Sequence, residues 1–326
     1  MVKSRTENTP LPQKARKPEM RWVWLLCLAA AVVVLGEIQI QVQPAQARYS
    51  ANESVLVNVI MFGTGQIVDS DNELTFDSFN KQFVVKFNST NEVAYLGRLG
   101  KRAQFPPVRT VQNYTLHMQV DLSTLYEFTQ SGEYSFQYQS PFFPNQQSNV
   151  IVAYVEQRSA ILVLPRSVPC SSSRTNQYKQ AKVGSQALAK SALANTNINK
   201  YKLWFGPTNK NRQSTVKQVY SKISKALQGN LQIDCECANN RNLFAYVYPS
   251  RYRTKTVYLC GAFWSARAVG GADSQAGVLI HELSHFNDIG KTQDYVYGQS
   301  KCQSLAKNNP SRAIKNADSY EYFAEL

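Results

Sequence analysis

The hydrophobic period of this chain changes once, and that change divides it. Between residues 48 and 166 apolar positions alternate: Val55, Val57 and Val59, then Leu116, Met118 and Val120, then Tyr134, Phe136 and Tyr138. A period of two puts these side chains on one face of a strand. Clusters of Asn, Ser and Gly separate the runs, and the pattern predicts a β-sandwich. Residues 165–174 are rich in Pro and Ser and read as a linker. Beyond them the period lengthens. Residues 175–195 and 214–228 read as helices, the second stopped at Gly229. Residues 243–248 and 256–260 read as short strands. Asp273 is the expected N-cap of a helix running through Phe286. The fold class expected is α+β: an all-β, sandwich-like region over 48–166, then a mostly helical domain with a small sheet over 167–326.

The first 47 residues read differently. Residues 1–21 carry Lys3, Arg5, Lys14, Arg16, Lys17 and Arg21, and residues 22–35 are an unbroken apolar run. Ala45-Gln46-Ala47 follows. A basic stretch, a short apolar run and an A-x-A site predict a secretory signal over 1–47, cut after Ala47. The apolar run is short for a bilayer span, so no stable membrane association is expected after the cut. Cysteine usage agrees with export. Cys27 lies in the signal, and Cys170, Cys235, Cys237, Cys260 and Cys302 all lie in the second half. In an oxidising compartment they predict two disulfides and one odd thiol.

The net charge is +14, and residues 167–326 hold 21 basic and 9 acidic side chains. Such a bias first suggests nucleic acid. No recognition helix, RNP-like stretch or zinc-finger spacing accompanies it, so no nucleic-acid partner is expected and the basic surface reads as solvated.

His281-Glu282-Leu283-Ser284-His285 carries the chemistry. On a helix, His281 and His285 stand at i and i+4, so both imidazoles leave one face and can share an ion. Glu282 can reach a water on that ion and take its proton. By residue frequency such a pattern arises by chance about once in a thousand chains of this composition. The preceding residues 276–280 are apolar. A buried helix with two imidazoles and a carboxylate is costly without a ligand. A catalytic zinc takes three protein ligands, and both histidines of this half are already used. Asp288, Asp294, Asp318, Glu321 and Glu325 are the downstream candidates for the third.

Further motifs bring in a resemblance. Residues 292–298 read Thr-Gln-Asp-Tyr-Val-Tyr-Gly and resemble the G-T-x-D-x-x-Y-G signature of the aspzincins, the deuterolysin family. Trp204-Phe205-Gly206, residues 244–249, 257–264, 273–277 and 316–323 resemble the peptidyl-Lys branch of that family. Upstream, Tyr95-Leu96-Gly97 with Lys101-Arg102, residues 120–123 and residues 132–134 resemble that branch's pro-region.

The resemblance implies one Zn²⁺ held by His281, His285 and Asp294, with Glu282 as general base. It implies that Tyr297 donates to the developing oxyanion, from the same face as Asp294 if that stretch is helical. It implies disulfides Cys170–Cys235 and Cys237–Cys260. Lys291 stands where the signature has Gly. The matching pair for Asp318 and Glu321 receives a lysine ammonium on the leaving-group side of the scissile bond. The two lie at i and i+3 and share a helix face. In a half so basic, local acids must reverse the field for a cationic side chain, and a narrow two-carboxylate pocket suits the compact ammonium better than the planar guanidinium.

The expectation is a secreted, monomeric zinc endopeptidase, made as a pro-enzyme, cutting protein or peptide substrates at Xaa-Lys bonds. Two alternatives remain: a deuterolysin-like peptidase of broader specificity, and a non-catalytic β-sandwich binding protein with a degenerate peptidase domain. No cysteine lies between Cys27 and Cys170, so latency cannot come from a pro-region thiolate on zinc. It must be steric or use another group, such as His117.

Overall fold

In the computed structural model, which describes residues 38–68, 81–103, 108–139, 147–158 and 165–326, the alternating runs of the first half pair into two sheets. The strands of this half are β1 (Ile38–Pro44), β2 (Arg48–Tyr49), β3 (Leu56–Val68), β4 (Phe83–Phe87), β5 (Asn91–Glu92), β6 (Leu99–Arg102), β7 (Val108–Asp121), β8 (Gly132–Tyr138) and β9 (Ile151–Val155). One sheet has the order β1-β3-β7 and the other β2-β9-β8-β4-β5. Alternate residues of β4 and of the first part of β3 point inward. Val57, Val59 and Met61 of β3 share a core with Phe83, Val85, Phe136, Tyr138 and Ala153 of the facing sheet. His117 lies exposed on β7.

The expected cut after Ala47 falls between β1 and β2. Ile38 to Pro44 pair residue for residue with Gly63 to Val57 of β3, and Ile40 and Val42 are buried. A cut after Ala47 would strip an edge strand from the sandwich and expose its core. Residues 38–44 therefore belong to the folded region. The basic stretch and apolar run of 1–35 lie outside the described residues.

The second half carries its own core. Its helices are α1 (Ser172–Ala194), α2 (Ile198–Phe205), α3 (Lys210–Gln228), α4 (Gly261–Ser265), α5 (Gln275–His285), α6 (Gln299–Asn308), α7 (Pro310–Ala313) and α8 (Ala317–Glu325). Caps set the helix starts. Ser171 accepts the Arg174 N–H, and Asn209 accepts those of Asn211 and Arg212. Both helices thus begin earlier than the periodicity alone suggests. The N-cap of α5 is Ser274, not Asp273: its hydroxyl accepts the Gly277 N–H at 3.1 Å, while Asp273 takes a φ of 60° outside the helix. The helix stops at His285 because Phe286 is extended. Cys170 is bonded to Cys235 and Cys237 to Cys260, and Cys302 is free and buried.

The strands β10 (Gln232–Asp234), β11 (Leu243–Val247) and β12 (Thr256–Leu259) form a sheet with the order β10-β12-β11-β6. Its fourth strand comes from the first half. β6 runs antiparallel to β11, with Gly100 opposite Tyr246 and Lys101 opposite Ala245. A side chain at residue 100 would put its Cβ 2.6 Å from the Ala245 carbonyl oxygen, so only glycine allows this approach. Gly36–Leu326 accordingly forms one compact unit.

Between α5 and α6 the chain reverses through residues 286–298. Lys291 N–H bonds to the Phe286 carbonyl and Thr292 N–H to that of Ser284. The left-handed conformation falls on Lys291, at φ 51°, and not on Gly290. Gly290 is needed for space: an added Cβ would lie 2.6 Å from the Ser284 carbonyl oxygen. The two neighbours should therefore respond oppositely in urea unfolding. Lys291→Gly should raise stability by up to ~1 kcal/mol, because the strain relieved slightly exceeds the added chain entropy. Gly290→Ala should lower it by ~1–3 kcal/mol. A loss of stability in Lys291→Gly would show that the left-handed residue carries no strain.

Candidate metal centre and lysine pocket

Every residue of α5 is buried. Its N-terminus is held by Glu325 of α8, whose carboxylate accepts the Asp273 and Ser274 N–H groups at 3.0 Å each and also the Ser274 hydroxyl. Burial, with Glu321 nearby, pushes the Glu325 carboxyl up to about 8, so its oxygens act here as a hydrogen-bonding cap. One and a half turns further on, the His281 and His285 rings meet edge to face, with centroids 4.9 Å apart.

Asp294 closes the group from the reversing loop. Its Oδ1 lies 3.1 Å from His281 Nε2 and its Oδ2 lies 3.4 Å from His285 Nε2. These four atoms are fully buried and none has a hydrogen-bond partner among the described residues. One ligand atom from each of the three residues lies within 4.8 Å of the others. Buried polar atoms rarely go without partners, and two imidazole nitrogens with a carboxylate are a donor set for zinc. The residues fit a metal ion.

The ligands are themselves oriented. His285 Nδ1 lies 3.0 Å from the Thr292 carbonyl oxygen, and donation there leaves Nε2 as the free lone pair. Burial depresses the His285 pKa to about 4, which keeps the ring neutral and able to ligate. The loop is tied to the start of α8: Asn316 Oδ1 accepts the Val296 N–H, and Gly298 N–H donates to Asp318 Oδ2 at 2.7 Å. Residues 293–297 are irregular and not helical. Tyr297 reaches the centre by another route, its ring nearly parallel to that of His281 with centroids 6.5 Å apart.

A second acidic group adjoins the first. Asp318 Oδ1 lies 2.8 Å and Glu321 Oε2 3.4 Å from His281 Nδ1. These carboxylates surround an ammonium. Lys101, 2% exposed, places Nζ 2.7 Å from Glu321, 2.8 Å from Asp273 and 3.0 Å from Asp318. The Tyr322 ring lies 4.9 Å away. Burial alone would depress the Lys101 pKa, but Asp318 and Glu321 hold it well above the usual value. Burial would likewise raise Asp318, yet the Lys101 ammonium and His281 keep it below the carboxylate range. Glu321 Oε2 thus lies against both the ammonium and the His281 ring. Among the described residues, the carboxylate within 4 Å of His285 Nε2 is that of Asp294.

The backbone of β6 completes the arrangement. Glu282 Oε1 accepts the Lys101 N–H at 3.0 Å, and the Tyr297 hydroxyl donates to the Gly100 carbonyl oxygen at 3.0 Å. Burial pushes the Glu282 carboxyl up to about 8. The sequence reading named Lys101 only within a resemblance and gave Asp273 only a capping role. Neither Thr292, Asn316 nor Glu325 was singled out for orienting the site. No periodicity marks these residues, because each acts on a partner elsewhere in the chain.

Comparison with known proteins bears on what this arrangement does. The aspzincin M35 family model, described as lysine-specific metallo-endopeptidase, matches residues 189–325. A peptidyl-Lys metalloendopeptidase of Armillaria mellea is 46% identical over 161 residues, 48% of this chain and 45% of that protein, so the chain spans about half the length of that relative. One from Grifola frondosa is 36% identical over 236 residues, covering 65% of this chain and 67% of its own. An extracellular protease of Aeromonas hydrophila is 34% identical over 271 residues, 72% of this chain and 76% of its own. A solved zinc peptidase structure from Grifola frondosa is 42% identical, covering 48% of this chain and 96% of its own, with a TM-score of 0.45. The family match spans α5, the Asp294 loop and α8 together, and the chain belongs to the aspzincin M35 family of zinc endopeptidases.

Proposed function

We propose that this chain is a secreted, monomeric zinc endopeptidase, made as a latent pro-enzyme, that hydrolyses peptide bonds on the amino side of lysine. The observation that carries the reading is a lysine ammonium among Asp273, Asp318 and Glu321, with its own backbone N–H on Glu282. Relatives bearing the name peptidyl-Lys metalloendopeptidase share this half of the chain. Export is supported by the two disulfides and by the relative named as an extracellular protease.

His281, His285 and Asp294 would hold the zinc, which supplies Lewis acidity and lowers the pKa of water to roughly 7. Glu282 takes a proton from the attacking water and returns it to the leaving nitrogen. Tyr297 donates to the carbonyl oxygen as negative charge develops there. Asp318 and Glu321 anchor the lysine on the leaving-group side, with Asp273 at the pocket's more exposed rim. A guanidinium is broader and planar, so arginine fits this closed set of oxygens less well.

Two sets of variants test the roles. Glu282→Gln should keep one zinc per chain by elemental analysis while kcat falls ~10²–10⁴-fold. Asp294→Ala should lose the zinc itself. Full zinc in Asp294→Ala, with loss in Glu321→Ala, would overturn the ligand set. Asp318→Ala should lower kcat/KM at Xaa-Lys bonds by an amount equivalent to ~2–5 kcal/mol, and far less at other bonds. Mass spectrometry of peptides from a denatured protein should find lysine at the new amino termini. Products beginning mostly with other residues would remove the lysine assignment and leave the zinc site intact.

A further inference from the structure

We propose that the seam between α1 and α3 is a docking surface for an acidic polysaccharide, a hydroxylated chain carrying repeated carboxylates. The surface is separate from the metal centre and does not depend on the endopeptidase reading.

The positive charge of the second half is concentrated. Residues 172–228, which hold α1, α2 and α3, carry nine lysines and two arginines but no aspartate or glutamate. None of these eleven cations forms an ion pair among the described residues. Like charges held on one face repel one another, and a polyanion laid along them relieves that repulsion and releases counterions.

Six of the lysines follow one line. α1 and α3 run antiparallel: Lys182 Nζ donates to the Gly229 carbonyl and Gln186 Nε2 to that of Leu227, while Leu193 lies beside Lys210 and Lys217. The helical period then puts Lys179, Lys182 and Lys190 within about 80° of arc on the α1 bank, and Lys210, Lys217 and Lys225 within about 80° on the α3 bank. Lys210 to Lys225 spans about 22 Å of helix. Gln213, Ser214, Gln218 and Ser221 line a shallow groove along this seam. Their amides and hydroxyls both donate and accept, which matches the hydroxyls of a sugar.

The same surface suits other polyanions less well. Every aromatic ring of these helices, Tyr178, Tyr201, Trp204, Phe205 and Tyr220, is buried, so none is left for a base to stack on. The two guanidiniums that would fork onto phosphate are engaged elsewhere: Arg212 donates to the Pro207 carbonyl at 2.9 Å, and Arg174 lies over the Trp264 ring. Val183 is the one large apolar side chain well exposed on α1 and α3 among the described residues, too little to enter a bilayer interface.

Titration of the full-length chain with polygalacturonate tests this, with dextran, duplex DNA and phosphatidylserine vesicles as comparison probes. Polygalacturonate should bind tightest of the four at one ionic strength. The triple variant Lys190→Gln, Lys210→Gln, Lys217→Gln should bind it at least about tenfold more weakly, and the slope of log affinity against log salt should fall by about 2. The triple variant Arg241→Gln, Arg253→Gln, Lys307→Gln removes the same charge outside the seam and should bind within about twofold of the natural chain. All six side chains are exposed, and circular dichroism should show both variants folded. Equal weakening in the two variants would show that net charge alone governs binding, and would overturn the proposal. So would a natural chain that ignores polygalacturonate, binds dextran equally well, or prefers duplex DNA or the vesicles.

Discussion

A helix buried on every side, carrying two imidazoles and a carboxylate, must find partners for those atoms or not form. Burying such groups unpaired costs several kcal/mol each, more than a small domain can spare. The architecture around α5 answers that demand. The reversing loop brings Asp294 and the Thr292 carbonyl to the histidines. α8 brings Asp318 and Glu321 to the far side of His281 and Glu325 to the helix start. Asn316, just before α8, holds the loop through the Val296 N–H. What remains without partners is a convergent set of nitrogen and oxygen atoms, and it has the composition of a zinc site.

The same accounting governs the acids. Asp318 and Glu321 are almost fully buried in the half of the chain that carries the basic excess. Their charge is balanced locally, by an ammonium 2.7 to 3.0 Å away and by an imidazole. Removing one member of such a group leaves an uncompensated buried charge. A cation among these oxygens is therefore required by charge balance. In this structure that cation is Lys101, supplied by the strand that crosses from the first half into the sheet of the second.

The histidine spacing on α5 follows from local geometry and is legible in the sequence. So is the alternation that buries Val57 and Val59 on one side of β3, and so are the odd Cys302 and the break of period before α1. Caps were harder. Ser274 and Asp273 are adjacent and both are good cap residues; the choice fell to Ser274 because Glu325 and Lys101, far along the chain, claim the Asp273 backbone and carboxylate. The left-handed turn fell on Lys291 because Gly290 is pressed against Ser284. The strand before Ala47 went unseen because small and polar residues near a basic apolar start read as a processing site. Their place in a sheet depends on a partner strand, β3, and not on their own pattern.

What the sequence alone determined is the set of features with short periods: which face of each element is apolar, two imidazoles on one helix face, and two carboxylates on another. What only the tertiary structure decided is which distant atoms those features meet. Lys101 lies 217 residues from Asp318 and 181 from Glu282, yet it contacts both. Nothing in the local pattern of β6 distinguishes it from the sandwich strands around it. Its partner was set by the bare α-carbon of Gly100 against β11 and by the acids waiting beyond. The physical reason is that hydrophobic period reports burial, whereas charge pairing and strand register are properties of two segments at once.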